Sequence, residues 1–128
     1  PAVWGELATH SARNRGVAGV IVLGAIRDTR DIRQVGVPVF GLVVCPNAGE
    51  PKGFGEIGVP LRVDGIECRP GDWIVADAAG VIVVPARRAV EVANRAMQAF
   101  AEMQSQLAAW VMSGGTMLEV TNTGVVLQ

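Results

Sequence analysis

The apolar run in "VIVLGAIRDTRD", residues 20–31, leads into an arginine beside an aspartate, Arg27 and Asp28. The two side chains suit opposite halves of one task. A guanidinium presents a planar fork of donors that matches a carboxylate, and an aspartate offers a hard oxygen suited to Mg²⁺. With Gly24 leaving room for a ligand near the backbone, the pair can hold an anionic substrate against a metal. A simpler reading fits the same spacing: Arg27 makes a salt bridge and Asp28 caps the helix that follows. Spacing alone leaves both open. A second stretch, "WGELAT" from Trp4 to Thr9, places Gly5, Glu6 and Leu7 at a helix start, where unpaired N–H groups and the helix dipole favour a bound anion. Lys52 is the single lysine of the chain. It falls in the Gly- and Pro-rich loop "PNAGEPKGFGEIG", where it can close over an anionic substrate but lacks the apolar packing that would make it a Schiff-base nucleophile. Glu56 shares that loop and reads as a turn residue. Asp72 and Asp77 stand in turn contexts and read as structural, and His10, one helical turn after Glu6, reads as its exposed ion-pair partner.

The elements that must position these groups follow from periodicity and turn chemistry. Residues 5–15 read as a short helix stopped by Gly16, and residues 19–23 as a buried strand. Asp28 and Thr29 open a second short helix through Val35, and residues 37–44 form another strand that Pro38 and Gly41 bend. Residues 59–63 and 66–68 flank Asp64-Gly65, a two-residue hairpin signal. Residues 73–76 and 81–84 form a further pair across Ala78, Ala79 and Gly80. From residue 86 to 112 the period changes: Ala93, Ala96, Met97, Phe100, Met103, Leu107, Trp110 and Val111 recur at three- and four-residue steps, so one helix about 39 Å long is expected. That length exceeds what a small body can cover, so part of the stripe is expected on a neighbouring subunit, with closure of the chain's own core as the other reading. Residues 124–127 can add a short strand. The fold class is therefore α/β with mixed sheets.

Composition bounds the functions available. The chain has 128 residues, 50% hydrophobic and 18% charged, and a net charge of -1, which fits a globular domain with a core. No apolar run is long enough to span a membrane, no signal-peptide pattern opens the sequence, and no basic stripe interleaved with aromatics marks a direct nucleic-acid partner. Cys45 and Cys68 are isolated, without a CxxC spacing, which fits reduced thiols and a cytoplasmic location. With one histidine, His10, they make no zinc site.

Taken in order, "WGELAT", "GVAGVIVLGAIRDTRDI", "VPVF", "PKGFGEIGVPL" and "RPGDWIVADAAGVIVVP" resemble the family of 4-hydroxy-4-methyl-2-oxoglutarate aldolases and regulators of ribonuclease activity A, over residues 4–85. The resemblance implies a single domain over residues 1–128 with the swivelling β/β/α fold and a long C-terminal helix, an N-terminal part before Pro1 that can contribute further acidic groups, and a trimer or hexamer with its cleft between subunits. It implies a divalent-metal lyase that cleaves a 4-hydroxy-2-oxo acid to pyruvate and decarboxylates oxaloacetate. Carried over residue by residue, Arg27, Asp28 and Glu6 are catalytic, Arg27 also binding substrate, Asp28 and Glu6 holding Mg²⁺ or Mn²⁺, Glu6 by way of water, and Asp31 is a further metal residue. Gly5 and the amides of Leu7 and Ala8 cradle the pyruvyl carboxylate, with Lys52 at the mouth.

Chemistry agrees with that implication. Both reactions leave a pyruvate enolate whose charge must be stabilised. With no lysine placed for a Schiff base, a metal acting as Lewis acid remains, a metal-bound water or nearby carboxylate taking the hydroxyl proton. The family's other role, as a non-enzymatic regulator that binds a ribonuclease or helicase, is the alternative.

Overall fold

The computed structural model describes residues 1–53 and 55–114. The chain divides into two compact units, Pro1–Gly55 and Glu56–Gln128, meeting in the Gly- and Pro-rich loop, inside the span expected as one domain.

The first unit is a parallel βαβαβ unit. Strands β1 (Ala2–Trp4), β2 (Val20–Ile26) and β3 (Val39–Val44) lie in that order. Helix α1 (Glu6–Asn14) joins β1 to β2, and α2 (Thr29–Val35) joins β2 to β3. The two helices pack on each other, as successive right-handed crossovers in one direction require. Gly16 ends α1 in the left-handed region at φ 71° and donates its amide to the Arg13 carbonyl, the stop expected there. Ala12 of α1, Ile32 and Val35 of α2, and Ala2, Val22, Ala25, Ile26 and Val37 form the buried core. Strand alternation would not bury both Val22 and Ala25, which are an odd number of residues apart. A register irregularity between them, where β2 pairs with β3, reconciles the two.

Strand β2 runs to Ile26, beyond the expected end at Leu23, so Gly24 lies inside the strand at this irregularity. A Cβ there would meet only Val3 Cγ2, at 3.7 Å, an ordinary contact, so packing within the chain does not itself require glycine at this position. Strand β1 was not expected: three residues are too few to show a period. After β3, the Asn47 carbonyl and the Gly49 amide bond to the Ala2 amide and carbonyl, at 2.8 and 2.7 Å, which ties the following loop to β1.

The second unit is built from hairpins. Strands β4 (Leu61–Val63) and β5 (Ile66–Cys68) pair antiparallel around Asp64 and Gly65, both with positive φ, 47° and 82°, the geometry of the type I′ turn. Strands β6 (Trp73–Asp77) and β7 (Gly80–Val84) pair likewise, so parallel and antiparallel pairing occupy separate sheets instead of one mixed sheet. Asp72 accepts the Arg69 and Ala86 amides, each at 2.8 Å, and these bonds, that from Arg69 first, hold its carboxyl below the usual range. Asp77 accepts the Ala79 amide at 2.7 Å and the Gly80 amide at 3.3 Å. Both aspartates are thus structural, as read from the sequence.

A short 3-10 turn (Ala86–Arg88) leads into α3 (Ala89–Ser113), about 37 Å long. This confirms the long helix but starts its α-helical part three residues later than expected. No described residue of α3 is buried, and Met97 is 70% and Phe100 53% exposed. The strand expected at 124–127 lies outside the described residues. Among those residues, no helix is long and apolar enough to cross a membrane.

Candidate functional site

Because β1 and β2 are parallel neighbours, their C-terminal ends adjoin, and the starts of α1 and α2 come with them. This is where open α/β sheets gather their ligand-binding groups. One ladder bond, from the Arg27 amide to the Trp4 carbonyl at 3.0 Å, continues the pairing past Ile26. Asp28 then turns the chain in the left-handed region, φ 55° and ψ 37°, and its carbonyl accepts the Ile32 amide at 2.9 Å to begin α2. An L-residue in that region costs about 1–2 kcal/mol, and aspartate is among the residues that tolerate it.

Asp28 occupies the N-cap position of α2, but its side chain makes no cap bond there. Instead, Oδ2 accepts the Glu6 amide, the first of α1, at 3.2 Å. The same oxygen faces Arg27 Nε at 3.4 Å, with both side chains about one-third exposed. The helix-cap half of the simpler reading therefore fails, and the salt-bridge half holds only through Nε. Among the described residues, the terminal nitrogens of Arg27 have no protein acceptor and Asp28 Oδ1 has no donor. The fork for a carboxylate and an oxygen for a cation are both available.

Gly5 makes this juncture possible. Its backbone is extended, so conformation does not demand glycine. Space does: a Cβ at Gly5 would lie 2.5 Å from Asp28 Oδ2 and 3.1 Å from both Cγ and Nε of Arg27. The motifs "WGELAT" and "GAIRD" are thus in contact, and α1 presents the Leu7 and Ala8 amides in its first turn, where no preceding turn satisfies them.

The side chains of the other expected site residues make no hydrogen bond or ion pair with Arg27 or Asp28 among the described residues. The Glu6 side chain pairs with His10, Oε1 to Nε2 at 3.5 Å, the ion pair read from the sequence, so Glu6 meets Asp28 through its backbone. Asp31 lies in the first turn of α2, and Lys52 is exposed in the loop after β3. Among the described residues, no hydrogen bond or ion pair joins either of them to Arg27 or Asp28, and no group of three or more His, Cys, Asp and Glu side chains is arranged to hold a metal ion. A divalent cation still fits a smaller donor set: Mg²⁺ keeps several waters and is commonly bound through one or two carboxylates plus substrate oxygens. Asp28 supplies such a carboxylate.

Sequence reading missed Thr9. It is completely buried. Its hydroxyl accepts the Trp4 indole N–H at 2.9 Å and donates to the Gly5 carbonyl at 2.9 Å. The signal was present in a small polar residue on the inner face of α1, one turn after Gly5.

The model of the RraA-like family, described as Aldolase/RraA, matches residues 1–83. An uncharacterized protein of Methanocaldococcus jannaschii is 37% identical over 94% of this chain and 58% of its own length. A Thermus thermophilus protein named 4-hydroxy-4-methyl-2-oxoglutarate aldolase is 41% identical over 63% of this chain and 49% of its own. The solved structure titled as the RNA-processing inhibitor RraA from Thermus thermophilus superposes with a TM-score of 0.61 at 38% identity, covering 66% of this chain and 51% of that one. The chain thus spans about half the length of the curated relatives it matches.

Proposed function

The chain belongs to the RraA-like family, and from that premise we propose that it is a divalent-metal-dependent carbon-carbon lyase, cleaving 4-hydroxy-4-methyl-2-oxoglutarate or a related 4-hydroxy-2-oxo acid to pyruvate and decarboxylating oxaloacetate. The observation that carries this reading is the contact of Gly5, Arg27 and Asp28, in which the Arg27 fork and Asp28 Oδ1 have no protein partner among the described residues.

In this mechanism the terminal nitrogens of Arg27 bind the substrate's 1-carboxylate in bidentate fashion, and the Leu7 and Ala8 amides add donors at the positive end of α1. Asp28 would hold the metal, and the Glu6 side chain, which pairs with His10, would contribute by way of water. A Mg²⁺ or Mn²⁺ ion, when bound, supplies the Lewis acidity that stabilises the enolate charge. Asp31, in the first turn of α2, would be the further metal residue, and Lys52 the loop cation that lowers the cost of bringing in a dianion. The 4-hydroxyl proton would pass to a nearby carboxylate as the carbon-carbon bond breaks; the bond's electron pair goes to the pyruvyl fragment as its enolate, which takes up a proton to give pyruvate.

The assembly proposed is a homotrimer or hexamer in the cytoplasm. Support comes from apolar surface this chain leaves open: Val3, Ile21 and Leu23 of the parallel sheet, which such folds ordinarily cover on both faces, and the stripe of α3. Light scattering at micromolar concentration is expected to give a multiple of three; a monomer contradicts it. The regulator role, binding a ribonuclease or helicase, is the second reading, favoured by the likeness to the RNA-processing inhibitor. A pure interaction surface, however, has no use for an unpaired guanidinium fork beside a hard oxygen.

The test is pyruvate release from oxaloacetate and from 4-hydroxy-4-methyl-2-oxoglutarate, with Mg²⁺ and with EDTA. Release that depends on Mg²⁺ is expected. Release that survives complete metal removal contradicts the metal mechanism, and no release under either condition leaves the regulator reading.

A further inference from the structure

We propose that Thr9 is a positioning residue for this site, its buried hydroxyl setting the angle at which the start of α1 meets Asp28. The chain makes a sharp turn here, from β1 through Gly5 into α1, with no side-chain cap at the helix start. What fixes the turn is Thr9. Its hydroxyl donates to the Gly5 carbonyl at 2.9 Å, and its amide reaches that same carbonyl at 3.1 Å. The hydroxyl also accepts the Trp4 indole N–H at 2.9 Å. Trp4 is in turn held at its carbonyl by the Arg27 amide, at 3.0 Å. Two routes therefore run from one oxygen to the site: through Trp4 to the Arg27 backbone, and through Gly5 to the Glu6 amide, which donates to Asp28 at 3.2 Å.

The tolerance at the juncture is small, since Gly5 already approaches Asp28 and Arg27 more closely than a Cβ allows. A shift of the α1 start by a fraction of an ångström alters both the Glu6 bond and the direction of the Leu7 and Ala8 amides. Thr9 itself is wholly buried and touches no ligand, so it acts through these neighbours. Both of its hydroxyl bonds are within the protein, and among the described residues no buried side-chain N or O lacks a partner. Removing the hydroxyl leaves the indole N–H without its acceptor.

The activity arm of the test rests on the lyase reading above; a second arm does not. In the full chain, Thr9→Val keeps the volume and removes the hydroxyl, Thr9→Ser keeps the hydroxyl, and Trp4→Phe removes the indole donor together with part of the ring volume. Each is measured for Glu6 amide hydrogen exchange by NMR, for kcat and KM of oxaloacetate decarboxylation, and for its thermal midpoint. Thr9→Val is expected to speed Glu6 exchange and lower kcat/KM at least about tenfold where the protein remains folded, with kcat falling as well as KM rising. Thr9→Ser should restore both to within about twofold. Trp4→Phe should move both readouts the same way by less, and it carries the decision if Thr9→Val does not fold. Unchanged Glu6 exchange in the folded variants overturns the proposal, as does a Thr9→Ser protein as impaired as Thr9→Val, which would assign the effect to packing. If the parent protein releases no pyruvate, the lyase reading fails by itself, and Glu6 exchange alone decides the role of Thr9.

Discussion

Residues 1–55 bury Ala2, Ala12, Val22, Ala25, Ile26, Ile32, Val35 and Val37, whereas among the described residues of the second unit Val84 is the only apolar side chain buried to that degree. The first unit is ordered by packing two helices on a parallel sheet. The second is ordered by turn geometry and by carboxylates bonded to backbone amides, with its apolar strands and α3 left open. The candidate site lies in the packed unit for a physical reason: a guanidinium, a carboxylate and a helix start are held to within tenths of an ångström only where the backbone is fixed on several sides. The hairpin unit presents exposed apolar surface, the kind on which the proposed assembly would draw.

Substitutions can break this contrast, the largest expected effect coming from Asp28. Asp28→Asn preserves size and the acceptor for the Glu6 amide but removes the charge that attracts a cation. Pyruvate release should fall at least about a hundredfold, with part of the loss recovered at high Mg²⁺ if metal occupancy is limiting. Near-normal release would reduce Asp28 to a brace for α1. Gly5→Ala comes next, because its Cβ would lie 2.5 Å from Asp28 Oδ2. Displacing the carboxylate should lower kcat/KM about ten- to thirtyfold and cost about 1–3 kcal/mol in chemical denaturation. An unaffected Gly5→Ala enzyme would show that the juncture is looser than drawn.

A change in the second unit should act on stability alone. The Asp72 carboxyl is held below its usual range, chiefly by the Arg69 amide and then by that of Ala86. A depressed carboxyl contributes stability above its unfolded pKa and loses it as pH falls through the folded value. Asp72→Asn should therefore lower the melting temperature at neutral pH, with the difference from the parent closing in acid and kcat per folded molecule unchanged. A difference in melting temperature that stays constant across that range, or a fall in kcat, would erase the division between the units.

Local chemistry made much of this legible in the sequence. Asp64-Gly65 announced a hairpin because both residues must take positive φ, which few other pairs tolerate. Gly16 announced a helix end, and the three- and four-residue steps of Met97, Phe100, Met103 and Leu107 announced α3. Arg27, Asp28 and Gly5 were recognisable as types that bind anions and cations, but their contact was not, because a parallel register between β1 and β2 creates it and β1 is too short to carry a pattern. The end of β2 was hidden for a related reason: the strand continues through Gly24 by a register irregularity that only pairing reveals. Asp28 was read as a possible cap from its position ahead of α2, which is correct for the backbone and wrong for the side chain. Thr9 was overlooked because a threonine inside a helix ordinarily carries little information, and its role depends on Trp4 and Gly5 coming to the same oxygen.

The central claim is that the Arg27 fork and Asp28, through its cation, grip one small oxo acid together. Calorimetric titration with oxalate, a planar dianion that mimics the pyruvate enolate, tests this without relying on turnover. The account predicts one oxalate bound per chain in the presence of Mg²⁺, binding abolished by EDTA, and affinity reduced at least about tenfold by Arg27→Lys, which keeps the charge and loses the fork, with no recovery at high Mg²⁺. Oxalate binding of equal strength with EDTA, or in folded Arg27→Lys protein, would contradict it.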